Sequence, residues 1–194
     1  MNNAELKAEA NLLIERTELP ELLRSYACWF IGGSYSYDLM CWRDLDVYVL
    51  DLQHDLKRCF EIGFELTQRL GAKKARFTDN VSSKASSNEP RGFYWGIKLG
   101  DERQGAWKLD VWFLNLADYQ RHEKYSADMR SRLTAETRST ILEIKAAYWQ
   151  RREYRDTITG DLIYRAVMDQ GVRTVKDFEH LCQAERGGEG KSPF

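Results

Sequence analysis

Three aspartates, a glycine-serine turn and one lysine are the residues whose types and spacing can do chemistry in this sequence. Asp44-Leu45-Asp46 opens the apolar run Leu45-Asp46-Val47-Tyr48-Val49-Leu50. On a strand, side chains two positions apart share a face, so both carboxylates project side by side, roughly 6 to 7 Å apart, while Leu45 points the other way. Two like charges that close are costly unless a cation joins them, and carboxylate oxygens are the ligands a hard divalent cation takes. Asp110 stands in Trp107-Lys108-Leu109-Asp110-Val111-Trp112, an acid in an otherwise apolar strand, and a shared metal gives it a reason to be there. Lys108 shares a face with Asp110 and has two readings, a contact to a phosphate or neutralisation of the acids. Upstream, Ile31-Gly32-Gly33-Ser34 ends an apolar run in glycines. There the backbone can approach a phosphate closely while N–H groups and the Ser34 hydroxyl donate to it. Nine residues separate Ser34 from Asp44, enough for a helical turn or two and a return to a neighbouring strand.

The elements that must position these residues follow from periodicity. Residues 4 to 16 read as a helix, followed by a short one over Glu21 to Ser25. Ala27 to Ile31 and Leu45 to Leu50 read as two neighbouring strands. From His54 to Leu70 the period is helical, with Leu56, Phe60, Phe64 (or Gly63 beside it) and Leu70 on one side and Gly71 as the stop. Lys73 to Arg91 reads as a mobile loop, because Ser82-Ser83-Lys84-Ala85-Ser86-Ser87-Asn88-Glu89-Pro90 is a polar stretch no core could use. Phe93 to Leu99 and Ala106 to Leu114 flank a turn-forming segment and read as a hairpin. From Ser126 to Tyr154 the pattern is amphipathic and helical, Asp161 to Gln170 gives another helix, and Thr174-Val175-Lys176-Asp177 opens a third with capping chemistry. The expected organisation is an α/β half over residues 1–120, a helical region over 121–185 and a disordered tail over 186–194.

The order of these features, Ile31-Gly32-Gly33-Ser34, then Asp44-Leu45-Asp46-Val47, then the later strand acid Asp110, resembles the DNA polymerase β-type nucleotidyltransferase superfamily over residues 27 to 113. The small single-chain members that modify antibiotics are similar in size and layout, and the stretch from Asp161 to Leu181 resembles the C-terminal part of small members. The resemblance implies an α/β fold with a mixed β-sheet core flanked by helices. It implies that Gly33 and Ser34 hold a nucleoside triphosphate, that Asp44 and Asp46 bind Mg²⁺, and that Asp110 completes the metal site and helps activate the acceptor hydroxyl. Two Mg²⁺ ions and transfer of a nucleoside monophosphate from an NTP, ATP foremost, onto a hydroxyl of a small molecule or protein follow from it. After the serine, where many members carry Arg-Gly or Gly, this chain has Tyr35-Ser36-Tyr37-Asp38.

Composition bounds the alternatives. Of 194 residues, 29 are Lys or Arg and 30 are Asp or Glu, so the net charge of -1 gives no global attraction to nucleic acid or an anionic membrane. No template nucleic acid is expected as a partner. The N-terminal segment is charged throughout and lacks the apolar run of a signal peptide. Cys28, Cys41, Cys59 and Cys182 are scattered with no C-x-x-C pair, which fits a reducing cytoplasm. His54, His122 and His180 have no zinc-ligand spacing and read as surface or packing residues. The alternative reading keeps the fold as a nucleotide-binding or partner-binding module without turnover, and the sequence leaves the oligomeric state open.

Overall fold

The computed structural model describes residues 2–81 and 90–188. It divides into two compact units, Met1–Ser131 and Arg132–Phe194. The first is built on a five-stranded mixed sheet of order β1-β2-β5-β4-β3, comprising β1 (Trp29–Ile31), β2 (Asp44–Leu50), β3 (Lys74–Asp79), β4 (Gly92–Lys98) and β5 (Lys108–Leu114). β2 and β5 run parallel; every other pair is antiparallel. Helices α1 (Asn3–Thr17), α2 (Leu19–Leu22), α3 (Gly33–Tyr37), α4 (Leu56–Leu70) and α5 (Leu116–Arg132) complete this unit.

Alternation along the two central strands divides the sheet into an apolar face and a chemical one. Leu45, Val47 and Val49 of β2 and Leu109, Val111 and Phe113 of β5 are buried in one core with Leu6, Ala10 and Leu13 of α1 and Cys59, Ile62, Leu66 and Leu70 of α4. The opposite face carries Asp44, Asp46 and Tyr48 beside Lys108, Asp110 and Trp112. Capping sets the helix limits. The Asn2 side chain accepts the Glu5 amide to start α1, Asp55 accepts the Arg58 amide to start α4, and Gly71 ends α4 at φ 60.

Several expectations change. α4 buries Cys59, Ile62, Gly63, Leu66 and Leu70, leaving Leu56, Phe60 and Phe64 exposed at 46, 44 and 60%. The helix carries two apolar stripes, and the one containing Gly63 faces the sheet because a Cβ there would meet the Trp95 ring at 2.3 Å. Lys74–Asp79, placed in a loop, is instead edge strand β3, and residues 82–89 of that loop lie outside the described residues. The long helix over 126 to 154 is two helices, α5 and α6 (Ala135–Tyr148), because Thr134 caps a new start by accepting the Thr137 amide.

The second unit contains α6, α7 (Gly160–Met168) and α8 (Val175–Gly188). Ile141, Ile144, Ile163, Ala166, Val167 and Phe178 are buried in it. α8 continues to Gly188, into the segment expected to be a tail, and residues 189–194 lie outside the described residues. Thr174 and Asp177 exchange hydrogen bonds at its start, as the capping pattern requires.

Candidate metal and nucleotide site

The parallel register of β2 and β5 sets Asp46 opposite Asp110 and Asp44 opposite Lys108. One carboxylate oxygen from each of Asp44, Asp46 and Asp110 lies within 4.8 Å of the others. Small side-chain rotations would close that span to a Mg²⁺ shell, whose bonds are about 2.1 Å long, and an all-oxygen donor set suits Mg²⁺, Mn²⁺ or Ca²⁺ rather than zinc. The residues present therefore fit a hard divalent cation. Asp110 is buried at 7% exposure, while Asp44 and Asp46 are half-buried. Three carboxylates gathered at the end of two strands repel one another, and Lys108 answers that repulsion. Its ammonium donates to Asp110 Oδ2 and lies 3.6 Å from Asp44 Oδ1. Burial alone would pull the Lys108 pKa down, but the charges of Asp44, Asp110 and Asp46 together raise it above the ordinary lysine value. Lysine stays charged there and acts as a built-in counter-ion.

The glycine-serine turn meets this cluster directly. β1 pairs with β2, and the Gly32 amide donates to the Asp46 carbonyl at 2.9 Å. Gly33 follows at φ +57, where a Cβ would stand 2.0 Å from Asp46 Oδ2. Only glycine can turn the chain there with the carboxylate in place. Ser34, 8% exposed, lies in the first turn of α3, and Asp38 closes α3 in the left-handed conformation at φ 58 and pairs with Lys7. The Tyr35 to Asp38 departure from the superfamily pattern thus builds a short helix and its cap.

Sequence reasoning missed Tyr94. Its hydroxyl donates to Asp110 Oδ1 at 2.7 Å, so Asp110 is held between a phenol and an ammonium. Burial and then the Asp110 charge push the Tyr94 pKa up, keeping it a donor. Gly96, opposite Asp110 on β4, makes the space, since a Cβ there would stand 2.5 Å from the Tyr94 hydroxyl. The signal was a tyrosine two residues before a strand glycine, which carries meaning only once β4 is known to pair with β5. Beyond the acids, Tyr94 and Trp112 pack at 4.4 Å between ring centroids, and Tyr48 stacks on Phe30 at 5.0 Å and on His122 at 4.7 Å. His122 and His54, which lies 6.2 Å from the Phe93 ring, pack against aromatics; His180 is exposed. Trp95 and Trp107 pack on the core.

The sheet order, the parallel β2–β5 pair bearing its acids and the turn packed on Asp46 form a mixed α/β fold that the chain shares with solved uridylyl transferase structures. No family model and no curated protein sequence matches the chain. Among solved structures it is similar to a cytoplasmic RNA terminal U-transferase, at 18% identity over 86% of this chain and 46% of that one, with a TM-score of 0.51. It is similar also to Cid1, an RNA terminal uridylyl transferase, at 18% identity over 86% and 47% with a TM-score of 0.55. The Cid1 poly(U) polymerase with MgATP bound matches at 16% identity over 86% and 50%, with a TM-score of 0.53. The chain spans about half the length of these relatives, and at such identity the likeness is one of fold.

Proposed function

We propose that the chain is a Mg²⁺-dependent nucleotidyltransferase that moves a nucleoside monophosphate from an NTP, ATP foremost, onto a hydroxyl and releases pyrophosphate. The observation that carries this reading is the convergence of Asp44, Asp46 and Asp110 within 4.8 Å, with the Gly33 turn packed on Asp46. In this reading the three carboxylates hold Mg²⁺, two ions in all, which supplies charge neutralisation to the triphosphate and the attacking oxygen. The Gly33 amide and Ser34 hydroxyl donate to phosphate oxygens, and Lys108 steadies the acids before adding its charge to the triphosphate. The acceptor oxygen bonds to the α-phosphorus, the bond from that phosphorus to the bridging oxygen breaks, and pyrophosphate leaves with the electron pair. Asp110 takes the acceptor proton, and Tyr94 orients Asp110 for it.

The acceptor in this reading is a hydroxyl of a small molecule or protein, and no template strand is used. The RNA activities named for the similar structures make an RNA 3′ hydroxyl the second acceptor to test. No helix among the described residues is long and apolar enough to cross a membrane. Cys28, Cys41, Cys59 and Cys182 form no disulfide, which supports the cytoplasmic reading. The test is incubation with Mg²⁺ and α-labelled NTPs against hydroxyl acceptors, including an RNA oligonucleotide. Label transfer with stoichiometric pyrophosphate is expected. Saturable Mg²⁺-nucleotide binding without transfer to any acceptor would favour a binding module that has lost turnover.

A further inference from the structure

Past the end of β2 remote from the acid cluster lies a cavity of about 340 Å³, walled by Tyr26, Leu50, Asp51, Leu52, Asp55 and Arg58. Asp51 lies five positions after Asp46, roughly 16 Å along an extended chain, so this is a different place from the candidate metal site. Its volume lies at the small end of the range for small-molecule sites, about 300 to 1,000 Å³.

Asp51 is 3% exposed. Its Oδ1 accepts the amides of Gln53 at 3.2 Å and Asp55 at 3.4 Å, which fixes the loop into α4. Its Oδ2 is buried and has no hydrogen-bond partner among the described residues, and the same is true of the Tyr26 hydroxyl. Buried polar atoms are nearly always satisfied, so two such atoms on residues that line one cavity call for a partner from outside the chain. The wall's cation does not serve them: the Arg58 guanidinium donates to Ser25 Oγ at 3.3 Å, the Leu22 carbonyl at 3.1 Å and Glu61 at 3.2 Å, and to neither Asp51 nor Tyr26. Burial, the Asp51 charge and other neighbouring charges push the Tyr26 pKa up, so its hydroxyl remains a neutral phenol.

Two carboxylates, Asp51 and Asp55, against one occupied guanidinium disfavour an anion. A bare divalent cation would want six or more oxygen ligands, while the unmet acceptors number two and Leu50 and Leu52 add apolar wall. We propose that this cavity binds a small organic ammonium ion, its N–H groups donating to Asp51 Oδ2 and the Tyr26 hydroxyl and its methylenes lying against Leu50 and Leu52.

Titration calorimetry of the full chain with diaminobutane, butanediol and succinate tests the idea through ligand charge alone. Saturable one-site binding of the diamine is expected, with butanediol and succinate weaker by about tenfold or more. Asp51→Asn keeps the oxygen that accepts the loop amides and should weaken the diamine about tenfold, and Tyr26→Phe should weaken it several-fold. Asp46→Ala should leave the diamine affinity as it is. Absence of saturable binding, equal affinity for butanediol, or an undiminished affinity in a folded Asp51→Asn chain would overturn the proposal. So would loss of binding in Asp46→Ala, which would move the diamine to the acid cluster.

Discussion

A methyl group on Gly33 would lie 2.0 Å from Asp46 Oδ2, at a φ of +57 that side chains rarely adopt. Gly33→Ala therefore meets two separate penalties, backbone strain of about 1–3 kcal/mol and displacement of a proposed metal ligand. The expected outcome is a protein destabilised by about that amount in urea titration and without Mg²⁺-dependent transfer; a fully active variant would detach the turn from the site. Asp110 tests a different role. Asp110→Asn keeps the shape and oxygen acceptor but loses the charge and the ability to take a proton. Nucleotide affinity should hold within a few-fold while kcat falls by roughly 10² or more, and equal losses in both would remove the proton-accepting role. The convergence of the acids was legible because the glycine-serine turn, the i, i+2 carboxylates and a third acid in an apolar strand follow one another in order, whereas the pair alone would read as solvated. Tyr94 was not, because a tyrosine in a strand reads as packing until its hydroxyl is seen to reach Asp110.

At the scale of elements, β1, β2, β4, β5 and the strand-turn-strand order around Gly33 could be read from local sequence, because apolar runs and glycine stops are local signals. β3 and the buried face of α4 could not be fixed that way. Lys74-Ala75-Arg76-Phe77 does alternate, yet an edge strand of basic residues looks like a loop until its partner is known. α4 has two apolar stripes, and Phe60 takes the outer one because it packs on Phe77 at 4.5 Å and Trp95 at 5.4 Å, residues from distant parts of the chain. α5 offers a test of how an element covers the chemical face, since its His122 stacks on Tyr48 of β2. Burial and then the Arg121 charge lower the His122 pKa, with Asp118 opposing. A lowered folded pKa means the unfolded chain binds the proton more readily. The stability contributed by neutral His122 is then present above the usual histidine pKa and lost as pH falls through the folded value. His122→Phe keeps a stacking ring and removes the proton. Between pH 7.5 and 5, the wild type should lose melting temperature relative to His122→Phe, and parallel pH profiles would show that His122 does not titrate in this way.

For the molecule as a whole, the proposed site is a cluster of three carboxylates balanced by one lysine, so four groups carry a net charge of -2 before any ligand arrives. Folding must hold those charges together, and a cation that binds only the folded chain converts the repulsion into stabilisation by mass action. Mg²⁺ with a non-hydrolysable ATP analogue at about 100 times its dissociation constant should add about 2.7 kcal/mol, roughly 5 to 10 °C in Tm for a chain of this size. Nucleotide with EDTA should give little of this, since the triphosphate would bring its own negative charge into the cluster. Asp46→Ala separates electrostatics from binding. Removing one carboxylate leaves Lys108 facing Asp44 and Asp110, so the metal-free Tm should hold or rise, while the Mg²⁺-nucleotide increment disappears with transfer activity. A lowered metal-free Tm would mean that the Asp46 side chain contributes more to folding, through its packing on the Gly33 turn, than it costs through repulsion. A full increment in Asp46→Ala would place the triphosphate-bound cation elsewhere in the molecule.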